Sequence, residues 1–388
     1  MSDDDEHRAE VLILGTADWN QPIATNQHYV ARALTDSYNA NITFVESLGL
    51  RRPQLNARDL RRVVRRLSRA INEASTSEHT NREVPSGMRV ASPIIVPYHS
   101  GLTRRLNSHL LRSQISSWTA ARGRRVLWTY TPVTYGLDSI ADTAVYHCVD
   151  LLGQFPGIDA NTIASAEAEL AARNVAAVAS SEKVADHLAA MGFRNIELWP
   201  NVADTAIFSA REPQRTERTE ERAIFAGNLT ANKVDFNLLL ALVNSGLTLD
   251  IAGPIAEGGG ATPDQFRELL RAGANYLGVL SLEELAQHMT KCTVGLIPYV
   301  FNEYTAGVSP LKTYEYLAAG LAVASIGVPS VQAVPGMVYV ATTKQDFLRA
   351  ARRAAAIPTE NMMAHRIRLA SEHSWQKRSA QAREKAGL

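Results

Sequence analysis

The sequence predicts an α/β protein with two doubly wound parallel sheets. Three observations support this fold class. Short apolar runs alternate with segments of helical periodicity along most of the chain, and the alternation restarts after a polar, charged stretch at 209–222. The length of 388 residues also exceeds what one ordinary hydrophobic core needs. Parallel strands require long crossover connections, which the helical segments supply.

The first half of the chain opens on a buried strand. Glu10–Gly15 (EVLILG) is apolar, and a polar loop and a helix from about Thr25 to Leu34 follow it. A second helix is expected over Leu102–Ala121. The other strands predicted in this half are Ile42–Val45, Met88–Val96, Arg125–Thr129, Thr143–Val149 and Asn174–Ala179. Such alternation predicts one parallel sheet covered by helices on both faces.

The second half repeats this pattern. Its boundary is the segment SAREPQRTERTEER (209–222), which is polar and has no apolar periodicity. A strand at Ala223–Ala226 precedes a helix from about Val234 to Leu242. The later strands are Leu247–Ala252, Asn275–Gly278 and Val294–Pro298. The chain from Met362 onward is helical and basic, so a second sheet and a C-terminal helix are predicted.

The most informative motif is Ser309–Ser325, SPLKTYEYLAAGLAVAS, which predicts a loop, a helix, a tight turn and a strand. Pro310 suits the first turn of a helix, and Gly320 suits the left-handed position that ends one. Lys312 and Glu315 therefore lie near a helix start, where an α/β protein binds anions. A cation at a helix start suits binding of a phosphate. A carboxylate in the same turn suits binding of a sugar diol. Together, Lys312 and Glu315 predict a nucleotide-sugar site.

Composition favours a reducing compartment. Cys148 and Cys292 lie far apart in apolar contexts, and buried free thiols are expected for both. The acidic start MSDDDEHRAE is not a signal peptide, and no apolar run has the length of a membrane span. The predicted localisation is cytoplasmic, or peripheral at the inner face of the membrane. No metal site is predicted, because Asp3, Asp4 and Asp5 form only an acidic tail.

Basic charge is concentrated in one part of the chain. Residues 51–125 contain sixteen arginines, no lysine and four acidic residues. Within them, 58–71 predicts an amphipathic helix with an apolar stripe and an arginine face. A solvated surface helix and a docking site for anionic lipid or a phosphorylated acceptor are both consistent with it. Nucleic acid is not predicted as a partner, because aromatic residues do not interleave with the arginines.

Four segments together resemble a known enzyme group. They are FAGNLTANKVDFNLL (Phe225–Leu239), SPLKTYEYLAAGLAVAS, WPNVADTAIF (Trp199–Phe208) and HSWQKRS from His373. In order and spacing they resemble the GT-B glycosyltransferases of the large retaining family, family 4, and especially its bacterial cell-envelope and polysaccharide members. The resemblance covers nearly the whole chain.

The resemblance implies the GT-B fold. Two Rossmann-like domains would face each other across a cleft, and a C-terminal helix would return to the N-terminal domain. The implied divisions are an acceptor-binding domain at 1–204, a linker at 205–222, a nucleotide-sugar-binding domain at 223–358 and the returning helix at 359–388.

The resemblance also implies a donor site. Gly227 and Lys233 match the family pattern for contact with the donor diphosphate, whereas Asn228 stands where the family usually has arginine. Lys312 and the backbone around Ser309 would share the diphosphate. Lys233 and Lys312 are two of only seven lysines in the chain, which favours a functional role over two solvated side chains.

Two family glutamates, eight residues apart, also bear on this site. The second matches Glu315, which would accept hydrogen bonds from the nucleotide ribose. The first would fall at Gly307, so that carboxylate is absent here. Asn302 and Glu303 are near enough in sequence to replace it.

The N-terminal half would hold the acceptor. Trp19 and His28 are candidate acceptor contacts. Packing in the core is the more ordinary role for Trp19, although an aromatic ring in this loop also suits stacking on a sugar face. Tyr130 stands where many family members have a histidine. His147 and Asp150 end another strand, and Asp150 resembles an acidic residue of related enzymes. It would orient or deprotonate the acceptor hydroxyl, or else cap a helix.

The activity implied is metal-independent sugar transfer with retention from a nucleoside-diphosphate sugar, with a UDP-sugar favoured and a GDP-sugar as the alternative. The acceptor would be a sugar or a lipid-linked molecule, and no cofactor would be bound permanently. Two other functions stay open on the same fold: a non-catalytic scaffold subunit and a nucleotide-sugar epimerase. A dehydrogenase is disfavoured, because no glycine-rich fingerprint follows Gly15.

Overall fold

The computed structural model describes residues 8–21, 24–36, 40–51, 82–155, 157–210, 218, 220–255 and 264–388. The chain divides into two compact units. The first unit comprises residues 1–199 and 379–388, and the second comprises residues 200–378. The predicted arginine-rich helix at 58–71 lies outside the described residues.

Within its described residues, the first unit contains a seven-stranded parallel sheet in the order β3-β2-β1-β4-β5-β6-β7. The strands are β1 (Ala9–Leu14), β2 (Ala40–Val45), β3 (Met88–Ala91), β4 (Arg125–Thr129), β5 (Thr143–Cys148), β6 (Ala176–Ala179) and β7 (Ile196–Leu198). The helices are α1 (Asn26–Thr35), α2 (Gly101–Gln114), α3 (Ser116–Thr119), α4 (Ala160–Ala172) and α5 (Glu182–Ala190).

The second unit contains a six-stranded parallel sheet among its described residues, in the order β10-β9-β8-β11-β12-β13. The strands are β8 (Arg222–Ala226), β9 (Thr248–Ala252), β10 (Asn275–Tyr276), β11 (Val294–Pro298), β12 (Ala322–Ile326) and β13 (Val338–Ala341). The helices are α6 (Thr205–Ser209), α7 (Phe236–Asn244), α8 (Asp264–Arg271), α9 (Leu282–Met289), α10 (Glu303–Gly307), α11 (Lys312–Ala318), α12 (Lys344–Ala354) and α13 (Glu360–Ser371). The last helix, α14 (Trp375–Ala386), belongs to both units. The two predicted parallel sheets are therefore confirmed.

Three predicted elements differ from the structure in extent. The strand expected over Met88–Val96 ends at Ala91, because Pro93 cannot donate a backbone hydrogen bond. The helix expected over Leu102–Ala121 breaks at Ile115, whose backbone is not helical. The C-terminal helical segment is two helices, α13 and α14, with the break at 372–374. Strands β7 (IEL) and β13 (VYVA) were not predicted, because runs of three and four residues are too short to show a period.

Helix α11 is fixed at its C-terminal end by buried arginines. Gly320 has the predicted left-handed backbone conformation, with φ of 77°. Arg218 donates to the carbonyl of Ala319 (2.6 Å), and Arg366 donates to the carbonyls of Gly320 (3.1 Å) and Gly336 (3.2 Å). Burial lowers the pKa of Arg366 to about 10, so the side chain is still cationic at neutral pH. Cations at this end complement the helix dipole.

Helix α14 begins in the second unit and ends in the first. In the first unit, Arg383 donates to the carbonyl of Ala33 (3.2 Å), and Arg124 donates to the carbonyl of Gly387 (2.6 Å). The predicted return of the C-terminal helix to the N-terminal unit is confirmed by these contacts.

Cys148 and Cys292 are buried free thiols, as predicted. None of the helices within the described ranges combines the length and the hydropathy that crossing a membrane requires.

The close approach of α11 to β11 gives the first test. A Cβ atom added at Gly295 would lie 2.1 Å from Cγ of the Tyr316 ring, so Gly295→Ala must push the ring or the strand aside. We expect Gly295→Ala to lower the free energy of unfolding by about 1–3 kcal/mol or more, measured by denaturant unfolding. Gly153→Ala is the control, because its nearest neighbour would be Cα of Ala160 at 3.6 Å. Equal stability of both variants would contradict this account.

Candidate functional site

The second sheet changes direction between β8 and β11. The chain continues from β8 to β9 and β10 on one side, and from β11 to β12 and β13 on the other. The loops that leave the carboxyl ends of β8 and β11 therefore diverge, and a crevice at such a point is the usual ligand site of an open parallel sheet. The loop after β8 carries Gly227, Asn228 and Lys233. The chain after β11 carries Ser309, Lys312 and Glu315.

A buried tyrosine joins β8 and β11 at this edge. The two strands pair only at their beginnings, from Val294 opposite Ala223 to Gly295 opposite Ile224. Beyond that point the hydroxyl of Tyr316 accepts from the backbone N–H of Ala226 (2.9 Å) and donates to the carbonyl of Leu296 (3.4 Å). Burial raises the pKa of Tyr316 well above its ordinary value, so the hydroxyl keeps the proton that it donates.

The two loops are also bonded to each other. The backbone N–H of Val300 donates to the carbonyl of Lys233 (3.0 Å), and that of Asp235 donates to the carbonyl of Pro298 (2.8 Å). The ammonium of Lys233 lies 4.9 Å from the centroid of the Tyr299 ring. A cation over an aromatic face gains about 0.5–1 kcal/mol at an exposed site. The backbone and the side chain of Lys233 are therefore both positioned before any ligand contacts them.

Lys312 and Glu315 form an ion pair on the first turn of α11. Their side chains are only 18% and 5% exposed. A carboxylate buried this deeply is costly unless a cation accompanies it, and Lys312 supplies that cation. The two residues predicted separately for the diphosphate and the ribose thus form one charged unit, as their i,i+3 spacing on one helical turn allows.

The segment before α11 is held by a residue that the sequence analysis did not single out. The backbone N–H of Asn201 donates to Oγ of Ser309 (3.1 Å), and its amide donates to the carbonyl of Ser309 (2.6 Å). Ser330 Oγ donates to the carbonyl of Val308 (2.6 Å). Asn201 lies within the segment WPNVADTAIF, which was its only sequence signal.

The two residues considered as replacements for the absent glutamate differ in their surroundings. Asn302 caps α10, accepting from the N–H of Thr305 (2.8 Å) and donating to the carbonyl of Asn232 (2.7 Å). Its amide therefore has a structural role. Glu303 is exposed on the first turn of α10, and Gly307 is buried at its end.

In the first unit, Tyr130 and His147 lie in an aromatic cluster rather than at a surface. Both are buried, and their rings stack with centroids 4.9 Å apart. Trp128 and Trp199 meet His147 edge-on at 5.9 Å each. Asp150, just after β5, is half-buried. Among the three predicted catalytic residues, Asp150 is thus the one whose side chain is exposed enough to contact a ligand.

Trp19 and His28 form part of the interior of the loop between β1 and α1. Trp19 is buried against His28 and Phe44, its N–H donates to Oε1 of Glu46 (2.8 Å), and its indole donates to the carbonyl of Arg82 (3.3 Å). These contacts are the ones expected if Trp19 packs in the core. The acceptor role of both residues stays a prediction that these contacts do not support.

His28 is held in its neutral form. Its Nδ1 lies 3.0 Å from the backbone N–H of Thr25, which can only donate, so Nδ1 must be an unprotonated acceptor. Nε2 then donates to the carbonyl of Asp18 (3.2 Å). Burial and the nearby Arg82 charge lower the pKa of His28 to about 4.

Comparison with known sequences gives one partial match. No protein-family model matches the sequence. TuaH of Bacillus subtilis (strain 168), which carries the provisional name of a teichuronic acid biosynthesis glycosyltransferase, is 28% identical over 236 residues. The match covers 54% of this chain and 58% of TuaH, so the chain spans less than two thirds of that relative.

Solved structures match over nearly the whole chain. Sucrose-phosphate synthase from Thermosynechococcus elongatus has a TM-score of 0.67 at 13% identity, covering 97% of both chains. Anabaena HepE in complex with UDP-glucose has a TM-score of 0.62 at 13% identity, covering 97% of this chain and 99% of HepE. The chain has the GT-B fold, and its predicted resemblance to GT-B glycosyltransferases is confirmed.

The bridge made by Tyr316 gives a second test. Tyr316→Phe keeps the ring over Gly295 but leaves the N–H of Ala226 without its acceptor inside the core. We expect a loss of about 1–3 kcal/mol in the free energy of unfolding, measured by denaturant unfolding. Tyr339→Phe, a half-buried tyrosine of β13, is the control and should change stability by less than about 0.5 kcal/mol. A Tyr316→Phe variant as stable as this control would refute the bridge.

The neutral state of His28 gives a pH test. The pKa of His28 is lowered from 6.5 to about 4 in the folded chain, so the unfolded chain binds the proton more readily than the folded chain. The free energy of unfolding therefore falls as the pH drops from 6.5 toward 4. At pH 4 the loss should be about 3 kcal/mol. His28→Gln cannot titrate, so it should lack this part of the acid destabilisation in denaturant titrations at pH 7 and pH 4.

His187 is a control, because its pKa is shifted in the direction opposite to that of His28. Its hydrogen bond to Glu167 (2.8 Å) raises the pKa of His187. Its contribution is therefore present below pH 6.5 and fades as the pH rises through the raised pKa. His187→Gln should lose stability mainly at low pH. Identical pH profiles for the wild type and His28→Gln would show that His28 does not carry the effect.

Proposed function

We propose that this chain transfers a sugar from a nucleoside-diphosphate sugar to an acceptor hydroxyl. The observation that carries the proposal is the carboxyl edge of the second sheet, where the β8 loop brings Lys233 and the chain after β11 brings Lys312 and Glu315. Two cations and a buried carboxylate at such a switch point suit a diphosphate joined to a ribose. The GT-B fold and the similarity to TuaH support the same activity.

In this proposal each residue of the donor site has a separate task. Lys233 and Lys312 contact the diphosphate and stabilise the charge that develops on it as it leaves. Gly227, Asn228 and Ser309 approach it with backbone or amide groups. Glu315 accepts hydrogen bonds from the ribose hydroxyls, while Lys312 is shared between Glu315 and the diphosphate. The donor domain is assigned to 223–358, the acceptor domain to 1–204, and 205–222 to the linker.

The chemical step proposed is transfer with retention and without a metal ion. The acceptor oxygen bonds to the anomeric carbon on the side from which the diphosphate oxygen departs. The hydroxyl proton passes to the leaving diphosphate or to Asp150, which orients the acceptor. Tyr130 and His147 support the end of the strand before Asp150. No enzyme nucleophile is needed in such a step.

The biological setting is proposed from the resemblance and from TuaH. A UDP-sugar is the favoured donor, and HepE with its bound UDP-glucose supports that preference. The product would belong to a cell-envelope polysaccharide or glycoconjugate made on the cytoplasmic side of the membrane. The segment 58–71 is proposed to contact anionic lipid there.

A thermal-shift panel of UDP, GDP, ADP and dTDP tests the donor site. We expect one diphosphate to raise the melting temperature, because a ligand that binds only the folded state stabilises it. Lys233→Ala and Glu315→Gln should each weaken binding by about tenfold or more, since each removes a charge-assisted hydrogen bond. Lys291→Ala is the matched control, because Lys291 is an exposed lysine at the amino end of β11, on the opposite edge of the sheet.

Release of nucleoside diphosphate from the matching sugar donor then tests catalysis. Slow release that requires Lys233 supports the transferase. Binding without any release favours the scaffold alternative, which the absent carboxylate at Gly307 suggests. No shift with any nucleotide, or an equal loss in the Lys291→Ala control, would count against the donor site.

A further inference from the structure

Phe301 is an exposed aromatic residue in the loop that follows β11. It is 65% exposed, the highest value among the large apolar side chains described in the second unit. Tyr299 of the same loop is buried, so the loop packs on the core through Tyr299 rather than through Phe301. A single exposed apolar residue is ordinary on a protein surface. The position of Phe301 and the way its backbone is held are what distinguish it.

The backbone on either side of Phe301 is bonded to the loop after β8. The N–H of Val300 donates to the carbonyl of Lys233 (3.0 Å), and the amide of Asn302 donates to the carbonyl of Asn232 (2.7 Å). Phe301 therefore lies between two hydrogen bonds that end on Lys233 and on the residue before it. The aromatic residue and the cation belong to one edge of the crevice between β8 and β11.

The same segment is held from the other side by the loop after β12. The N–H of Tyr299 donates to the carbonyl of Ile326 (3.2 Å). Gly327 has a left-handed backbone, with φ of 78°, and a Cβ atom added there would lie 2.3 Å from the carbonyl oxygen of Tyr299. Thr305 Oγ1 donates to the carbonyl of Val300 (2.5 Å). The backbone is thus ordered before a ligand binds, which lowers the entropic cost of a contact made there.

Two polar side chains of this loop are already bonded within the protein. The side-chain oxygen of Asn302 accepts from the N–H of Thr305 (2.8 Å), and its amide is bonded to the loop after β8. The hydroxyl of Thr305 is bonded to backbone, and the residue is buried. What the loop exposes next to Lys233 is therefore an aromatic ring, which suits a ligand group with an apolar face.

We infer that Phe301 stacks on the C–H face of the sugar carried by the nucleoside-diphosphate donor, an inference that rests on the proposed function. In that function Glu315 binds the ribose and Lys312 is paired with it, whereas Lys233 is the cation outside this pair. The part of the donor beyond Lys233 is then the transferred sugar. A pyranose ring presents C–H groups on its faces, and packing one face on an aromatic ring buries apolar surface of both. Phe301 is thus a specificity-determining residue for the sugar, not for the nucleotide.

Calorimetric titration of the full chain with UDP, UDP-glucose and UDP-N-acetylglucosamine tests the inference. Phe301→Ala should leave the Kd of UDP within about twofold of the wild type. It should raise the Kd of the tighter-binding UDP-sugar by about fivefold or more, because the apolar contact with the sugar is lost. Phe301→Tyr keeps the ring and should bind like the wild type. Phe301→Leu is apolar but not flat, so it should lose most of the effect.

Two further variants serve as controls. Ile357→Ala removes an exposed apolar side chain between α12 and α13 and should bind all three ligands like the wild type. Lys233→Ala should weaken UDP and the UDP-sugars alike, because its partner is the diphosphate that they share. The ligand-free Phe301 variants should melt with the wild type, because substitutions of exposed side chains change stability little.

Three results would overturn the inference. One is a Phe301→Ala variant that binds the UDP-sugars as tightly as the wild type. Another is an equal loss for UDP and the UDP-sugars in that variant, which would place the ring against the nucleotide base. The third is a Phe301→Leu variant that keeps full affinity, which would exclude stacking. A wild type that binds neither UDP nor a UDP-sugar would contradict the proposed donor itself, and this inference with it.

Discussion

The contact between the Tyr316 ring and the backbone of Gly295 is the constraint on which the second unit depends. It lets α11 lie directly on β11, since any side chain at position 295 would occupy the volume of the ring. It also places the tyrosine hydroxyl between β8 and β11 where their own pairing has ended. The strands can then diverge at their carboxyl ends without leaving a buried N–H unsatisfied. The crevice that holds the candidate donor site follows from this arrangement.

Charge then fixes the orientation of α11 across the edge of the sheet. Lys312 and Glu315 form a buried ion pair on its first turn, while Arg218 and Arg366 bind carbonyls at its other end. Such pairs contribute less to stability than their number suggests, because removing charges from water is costly. Arg218 and Arg366 favour one position of the helix, since any other would leave a buried guanidinium without its carbonyl acceptor. A site preorganised in this way suits the stabilisation of a developing diphosphate charge.

The two units use their loops differently. In the second unit, the chain after β8 and the chain after β11 bond to each other and still leave Lys233 half-buried above Tyr299. In the first unit, the loop after β1 is filled by its own side chains, with Trp19 and His28 in the interior.

Sequence by itself determined the fold class, the two sheets and the motif that surrounds Lys312 and Glu315, because apolar periodicity and helix-end chemistry are local properties. The turn at Gly320 and the buried thiols follow from the same local signals. Only the tertiary structure decided that the Lys312–Glu315 pair is buried, that Tyr316 bonds to Ala226 across 90 residues of sequence, and that Trp19 and His28 pack inside. These outcomes depend on which side chains meet after the strands of each sheet have paired. Spacing along the chain carries little information on such long-range contacts, because burial and hydrogen-bond partners are set by the packed neighbours.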